Sequence, residues 1–315
     1  MIKTQKAALS VVSERPIKKT LRENNNTTDW VSLVSALGLI KFSHVPADGK
    51  IHAVATETHP KKKNGRVMLR VDGSGWAWNH ETDARCDWQP GNRKHLSSAH
   101  KQRIYQETTR RNKEQGNRYA EAAKVAAGIW ETTMPAPEKH PYLVRKKIQP
   151  HGVHCSYNGT GNRLVIPVCN AADEIQSLQY IDTDGSKRFL VGGKIREGRF
   201  RIGGQPMPDG TIVICEGFAT ASTIFQETGY VTYAAFSAAN LRPVACSIRA
   251  QYPNATIIIA GDNDYGTEAR IGFNPGANMA KAAAKACGGK VALPPSIEGG
   301  TDWNDYYRLT GKAGA

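Results

Sequence analysis

Paired cysteines are missing from this chain. Its six cysteines, Cys86, Cys155, Cys169, Cys215, Cys246 and Cys287, are spread so that no two lie within three residues of each other. There is no CxxC half of a zinc ribbon and no hint of a disulfide scaffold. Long apolar runs are missing as well: no stretch of about 18 apolar residues could span a membrane. The basic N-terminal segment is broken by Ser13, Glu14 and Arg15 before a secretory h-region could form. A cytoplasmic protein with reduced, scattered thiols and no membrane partner is expected. No GxxxxGKS/T run occurs, so the sequence holds no P-loop motor. His44, His52, His59, His80, Cys86, His95 and His100 follow no zinc spacing; they are expected to be scattered surface or core residues, and no zinc is expected.

Positive charge is plentiful. The 315 residues carry 42 Lys and Arg against 28 Asp and Glu, a formal net charge of +14. Residues 1–135 hold 23 basic against 13 acidic side chains, residues 136–210 hold 11 against 7, and residues 211–315 hold 8 against 8. The positive field therefore lies on the first two thirds, which favours a polyanionic partner.

Patterning divides the chain into five segments. Residues 1–28 are polar and read as a flexible arm. Residues 29–96 read as a small α+β domain without a zinc ribbon. In it Asp29 caps a short helix, and short apolar runs are separated by turns at Asp48-Gly49, Asn64-Gly65 and Asp72-Gly73. Trp76, Trp78 and Trp88 in this segment could stack on bases, but they are read as core. Residues 97–135 form a basic helical connector, helical over 98–132, that ends in the linker Met134-Pro135-Ala136-Pro137. Residues 136–210 form a mixed basic subdomain with strands RLVIPV, IQSLQYI and KRFLV, joined by turns at Ala171-Ala172-Asp173 and Asp184-Gly185. From 211 to 315, strands such as TIVIC, VTYAAF, TIIIA and KVALP alternate with helices of 10–15 residues, the pattern of a parallel, doubly wound α/β sheet.

In such a sheet the chemistry belongs at the carboxyl ends of the strands. Glu216 follows TIVIC, Asp262 and Asp264 follow TIIIAG, and Asp302 and Asp305 follow the last strand. Carboxylates at i and i+2 on a loop can face one hard cation, and a third acid from a neighbouring strand end would complete an oxygen site for Mg²⁺. Without a cation such acids raise each other's pKa. Asp305 taken alone is read as a helix cap or turn residue.

The order CEGFATA, IIIAGDND and TDWNDYY resembles the Toprim signature, which occurs in DnaG-type primases, topoisomerases and some nucleases. GNRLVIPVCNAADEIQSLQYIDTDGSKRFLVGGKIREGRFRIGG resembles the stretch before Toprim in DnaG-type primases. HPYLVRKKI and the pair DGKIHAVATE and GWAWNHET resemble primases of conjugative plasmids, phages and other mobile elements. The resemblance implies an α/β fold: a C-terminal Toprim domain with a Rossmann-like parallel four-stranded sheet, preceded by a mixed α+β basic subdomain and a small β-rich N-terminal domain. It further implies a DNA primase, a nucleotidyltransferase making short RNA primers on single-stranded DNA from ribonucleoside triphosphates. In that picture Glu216 is the catalytic acid/base, and Asp262, Asp264 and Asp302 hold Mg²⁺ or Mn²⁺. Arg163, Lys187 and Lys194 line a face for template and nucleotide, with Arg188, Arg196, Arg199 and Arg201 as further members. A replicative helicase is expected as a separate protein or fused beyond Ala315. Two alternatives remain open: a Toprim-type metal-dependent nuclease and a non-catalytic single-stranded-DNA-binding adaptor.

Overall fold

The computed structural model describes residues 30–43, 45–82, 84–89, 98–157 and 162–311. The expected arm over 1–28, the Asp29 cap, His44, His95 and the side chain of His100 lie outside what is described. Among the described residues no helix is long and apolar enough to cross a membrane. The chain folds as two compact units, Met1–Gln106 and Glu107–Ala315.

In the first unit, α1 (Trp30–Ala36) precedes a five-stranded antiparallel meander: β1 (Leu39–Ile40), β2 (His52–Thr56), β3 (Gly65–Leu69), β4 (Gly75–Asn79) and β5 (Ala84–Trp88). Alternation sends Val54, Val67, Ala77 and Cys86 to one face, where they bury with Val34, Leu39 and Phe42. Gly49 and Gly73 are left-handed, at φ 68° and 79°, as their turns require. The expected turn at Asn64-Gly65 is not there. Gly65 lies inside β3 opposite Val54, and a Cβ on it would come within 2.4 Å of Leu39 Cδ2. It is glycine because the sheet packs closely there. The core expectation for the tryptophans also needs correcting. Trp88 is in phase with Cys86, but Trp76 and Trp78 stand on the opposite, partly exposed face of β4. Of the scattered histidines, His52 pairs with Asp48 and His59 with Glu81, while Cys86 is core.

The helix read over 98–132 is α2 (Ser98–Thr132). Its second half, through Ala126, Ile129 and Trp130, packs on Val165, Leu178 and Tyr180. These belong to an antiparallel sheet of β6 (Met134–Pro135), β7 (His154–Tyr157), β8 (Asn162–Cys169), β9 (Ile175–Ile181) and β10 (Lys187–Phe189), with α3 (Pro141–Lys146) between β6 and β7. Met134 and Pro135, expected in a linker, instead form an edge strand on β7. Proline is tolerated at such an edge, where no donor is required of it.

The last third is the expected α/β sheet. Its strands are β12 (Thr211–Cys215), β13 (Val231–Ala234), β14 (Thr256–Ala260) and β15 (Lys290–Ala292), all parallel, in the order β13-β12-β14-β15. Its helices are α4 (Phe218–Thr228), α5 (Ala238–Gln251), α6 (Tyr265–Ile271), α7 (Pro275–Cys287) and α8 (Trp303–Thr310). Strand alternation supplies both faces. Ile212, Ile214, Ile257 and Ile259 meet α5 and α7, while Val213 and Cys215 meet α4. Each such isoleucine, removed from water, contributes about 2 kcal/mol. A fifth strand completes the sheet: β11 (Phe200–Ile202) runs antiparallel on β13. It comes from the segment read as part of the preceding subdomain.

Candidate active site

Three strand ends of the parallel sheet carry the acids. Glu216 leaves β12 just before the N-terminus of α4, with Gly217 as N-cap. Asp262 and Asp264 follow β14, and Asp302 is the N-cap of α8, its Oδ1 accepting the Asp305 N–H at 2.8 Å. The residue between the two aspartates holds their loop. The Asn263 N–H donates to Thr301 O at 2.7 Å, its side-chain amide to Pro294 O at 2.8 Å, and its Oδ1 accepts from Asn274 at 2.9 Å. The loop after β14 is thereby tied to the segment entering α8. Asp264 Oδ2 accepts the Gly276 N–H at 2.9 Å. A Cβ on Gly276 would stand 2.6 Å from Asp262 O, so α7 can begin this close to the acids only with glycine there.

Glu216, Asp262 and Asp302 line one open cleft of about 150 Å³ together with Tyr142, Lys146, Lys187, Thr220 and Phe236. Asp264 does not line it but acts on it electrostatically. Burial and then the Asp264 and Asp302 charges push Glu216 up to about 7, against an opposing hydrogen bond from the Ala238 N–H and the Lys187 charge. Burial and the charges of Glu216, Asp302 and Asp264 push Asp262 to about 8. Its Oδ1 is buried with no hydrogen-bond partner. Such a set is destabilised by its own charge, and every donor in it is a hard carboxylate oxygen. Its chemistry therefore fits a divalent cation of the Mg²⁺ kind. Among the described residues, however, no three His, Cys, Asp or Glu side chains are drawn together tightly enough to hold an ion as they stand.

The basic residues expected at this face divide into two groups. Lys187 on β10 reaches the cleft, its Nζ 3.7 Å from where a Gly217 Cβ would stand. The others do not line it. Arg163 lies over the Tyr180 ring at 4.1 Å and bonds Ser156. Arg188 pairs with Asp182, Lys194 and Arg196 with Glu197, and Arg201 with Asp173. Arg199 requires a correction. It is 2% exposed and spends its donors inside the fold on Ser247, Ala171 O and Gln251, above the Tyr233 ring. A guanidinium so enclosed is a structural member, not part of a face for phosphates.

Sequence reasoning passed over Tyr142 and Lys146 on α3 and Phe236 after β13. Lys146 Nζ sits 3.0 Å from Asp305 Oδ1. Asp305, read as a cap or turn residue, is therefore an ion-pair partner, and it is Asp302 that caps the helix. Asn304, fully buried, donates to Lys146 O and to Thr223 Oγ1, each at 2.8 Å. The start of α8, and Asp302 with it, is thus locked to α3 and α4. Phe236 adopts φ 68°, a costly conformation for an aromatic residue that gathers at functional sites. Its ring meets Phe189 edge-on at 6.0 Å. HPYLVRKKI was the available signal for α3; AAFSAAN gave none for Phe236.

A parallel sheet with Glu after one strand, DxD after the next but one and a capping Asp after the last has the organisation of a Toprim domain. Residues 211–313 match the Toprim domain family model. The chain is a Toprim-domain protein, and it is related to DNA primases of the TraC type. Two proteins from Escherichia coli, each named DNA primase TraC, are 34% and 33% identical to it over 262 residues, 80% of this chain. The chain spans 24% and 18% of their respective lengths. Among solved structures, the primase fragment of the bacteriophage T7 primase-helicase protein aligns over 57% of this chain and 75% of its own, with 17% identity and a TM-score of 0.41. The Aquifex aeolicus primase, comprising zinc-binding and RNA polymerase domains, aligns over 90% of this chain and 80% of its own, with 12% identity and a TM-score of 0.40.

Proposed function

We propose that this chain is the catalytic part of a DNA primase, building short RNA primers on single-stranded DNA for the replication of a plasmid, phage or other mobile element. The observation that carries the proposal is the convergence of Glu216, Asp262 and Asp302 on the cleft that Lys187 and Lys146 enter from outside the parallel sheet. Phosphoryl transfer needs acids and cations gathered in this way, because charge develops on both the attacking and the leaving oxygen.

In this reading Asp262, Asp264 and Asp302 would hold Mg²⁺ or Mn²⁺, which when bound neutralises charge on the triphosphate. Glu216 accepts the proton of the primer 3′-hydroxyl as that oxygen attacks the α-phosphorus of the incoming ribonucleoside triphosphate, the bond from the α-phosphorus to the β-phosphate oxygen breaks, and pyrophosphate leaves. Burial, the largest cause acting on Glu216, raises its carboxyl above the ordinary carboxylate range, which suits it to take up a proton from a hydroxyl. Lys187 and Lys146 draw the phosphates into the cleft, and Tyr142 forms one of its walls. The exposed members of the basic set, Arg188 and Arg196 among them, provide diffuse attraction for the template. A replicative helicase, acting as a separate protein or fused to this chain, completes the picture. The five segments read from the sequence are proposed as the functional divisions, with β11 reassigned to the sheet of the last.

The test is synthesis on single-stranded DNA of mixed sequence with Mg²⁺ and labelled ribonucleotides. Short template-dependent RNA is expected from the wild-type protein. Glu216→Gln should slow it about 10²- to 10⁴-fold, the usual loss on removing a general base, while leaving DNA binding intact. Degradation of the template in place of synthesis would establish the nuclease reading instead.

A further inference from the structure

In the loop after β14, acids alternate with residues that bond elsewhere. Asp262 and Asp264 carry the charge. Asn263 and Tyr265 clasp the segment leading into α8: Asn263 donates to Pro294 O and Thr301 O, and the Tyr265 hydroxyl donates to Ile297 O. Behind this loop stands Asn274, 6% exposed. It is the N-cap of α7, a role that needs one side-chain acceptor and that serine fills equally well. Asn274 does more than cap. Its Oδ1 accepts the Ala277 N–H, which is the cap bond, and also the Asp264 N–H, each at 3.1 Å. Its Nδ2 donates to Asn263 Oδ1 at 2.9 Å and to Glu268 Oε2 at 3.0 Å. Two donors and two lone pairs are the whole capacity of a side-chain amide, and here all are in use. Capping does not account for three of these bonds.

Taking the acids as the divalent-cation site proposed above, we infer that Asn274, acting through Asn263, is a positioning residue that makes this site select a small octahedral cation over Ca²⁺. Asp264 Oδ2 is already taken by the Gly276 N–H, so this carboxylate has one oxygen left to offer a cation. The Asn274 bond to the Asp264 N–H holds it in that posture. The bond from Asn274 to Asn263, and from Asn263 on to Thr301 O, fixes the approach of Asp302, the next residue along. Mg²⁺ demands a near-ideal octahedron of oxygens, whereas Ca²⁺ is larger and gathers about six to eight, often through carboxylates that supply both oxygens in a flexible loop. Acids that can neither turn nor spread cannot enlarge the site for Ca²⁺. Cutting the Asn274–Asn263 relay frees the loop, and the small ion loses most by it.

The experiment uses the full chain without nucleotide or DNA, so that occupancy is read in the absence of turnover. Free Mn²⁺ is followed by electron paramagnetic resonance, with Mg²⁺ and Ca²⁺ titrated in as competitors. Mg²⁺ is expected to displace Mn²⁺ from the wild type at lower concentration than Ca²⁺ does. Asn274→Ser keeps a hydroxyl to cap α7 but does not span to Asn263 or Glu268. It should weaken Mn²⁺ and Mg²⁺ binding about 10- to 100-fold and Ca²⁺ binding far less, so that the preference narrows about tenfold or more. Asn263→Ala cuts the relay at its other end without touching the cap and should narrow the preference equally. The double variant should add little to either single change, as two ends of one relay require. Arg199→Ala weakens the same unit away from the acids and should leave the preference in place, which separates positioning from loss of stability. A wild-type preference retained in both Asn274→Ser and Asn263→Ala would overturn this role for Asn274, as would a wild type that does not discriminate against Ca²⁺. A wild type that binds no divalent cation would overturn it together with the metal reading. A preference that the variants lose, in a protein that makes no primer, supports the role and counts against the primase reading alone.

Discussion

Neutralising one carboxylate of the cleft should make the metal-free protein more stable at neutral and alkaline pH. In the folded state Asp262 is raised to about 8 and Glu216 to about 7, each by burial first and then by the neighbouring acids. Folded values above unfolded ones mean that the folded protein retains protons that the unfolded chain has released. Stability is thus full below about pH 4 and falls as pH rises to about 8. One pKa unit corresponds to about 1.4 kcal/mol. The two shifts share their mutual repulsion, so together they amount to less than their sum, and about 3 kcal/mol is a working figure for removing the Asp262 charge. For a folding unit of this size 1 kcal/mol moves the midpoint by about 2–4 °C. Asp262→Asn should therefore raise Tm by about 6–12 °C at pH 8 in chelator and by little at pH 5. Thermal unfolding of both proteins across that range, followed by circular dichroism, makes the measurement. Millimolar Mg²⁺ should narrow the gap by stabilising the wild type alone. Parallel Tm curves for the two proteins from pH 5 to 8 would refute the reasoning, because the acids would then not be repelling one another in the folded state.

Other outcomes follow from the same geometry. Asn304→Ala removes both hydrogen bonds that fix the start of α8. It should cost about 2 kcal/mol in denaturant unfolding and weaken Mg²⁺ binding through Asp302. Arg199→Ala should destabilise the second unit by about 3 kcal/mol, since buried acceptors lose their donor, with DNA affinity of the folded fraction unchanged in filter binding. Lys187→Ala should do the reverse, leaving Tm in place and raising the KM for ribonucleotides. In the first unit, burial opposes ionisation of Glu81, yet hydrogen bonds from Thr58, Asn64, Thr56 and His59 outweigh it and hold the carboxyl at about 2. Its contribution is present above pH 4.5 and is lost as pH falls through 2. Glu81→Ala should therefore cost about 1–2 kcal/mol at pH 7 and almost nothing near pH 2, measured by urea titration.

The parallel sheet was legible because its strands are short apolar runs ending in acids, and its helices stop at glycines such as Gly229 and Gly288, which adopt the left-handed cap. Position along the chain was enough to place Glu216, Asp262 and Asp302 at strand ends. Less legible was anything that depends on which strand lies beside which. Charge counting cannot separate Lys187, which enters the cleft, from Arg199, which is sealed inside, because both follow the same basic pattern in sequence. Gly65 looked like a turn since Asn-Gly usually is one; only the approach of Leu39, 26 positions earlier, shows why glycine stands there. Trp76 and Trp78 alternate with small residues, a pattern that fixes two faces but does not say which of them is covered.

The strand β11 has a practical meaning for anyone dividing this protein. The family match begins at residue 211, but a fragment cut there would leave behind the three residues that occupy the outer side of β13. The remaining parallel sheet would present a bare row of amide and carbonyl groups, the kind of border that recruits a second copy or nucleates aggregation. The smallest piece able to stand alone therefore starts upstream of Phe200. Any transplant of the domain into another protein has to carry that strand, or supply a substitute, as part of the module.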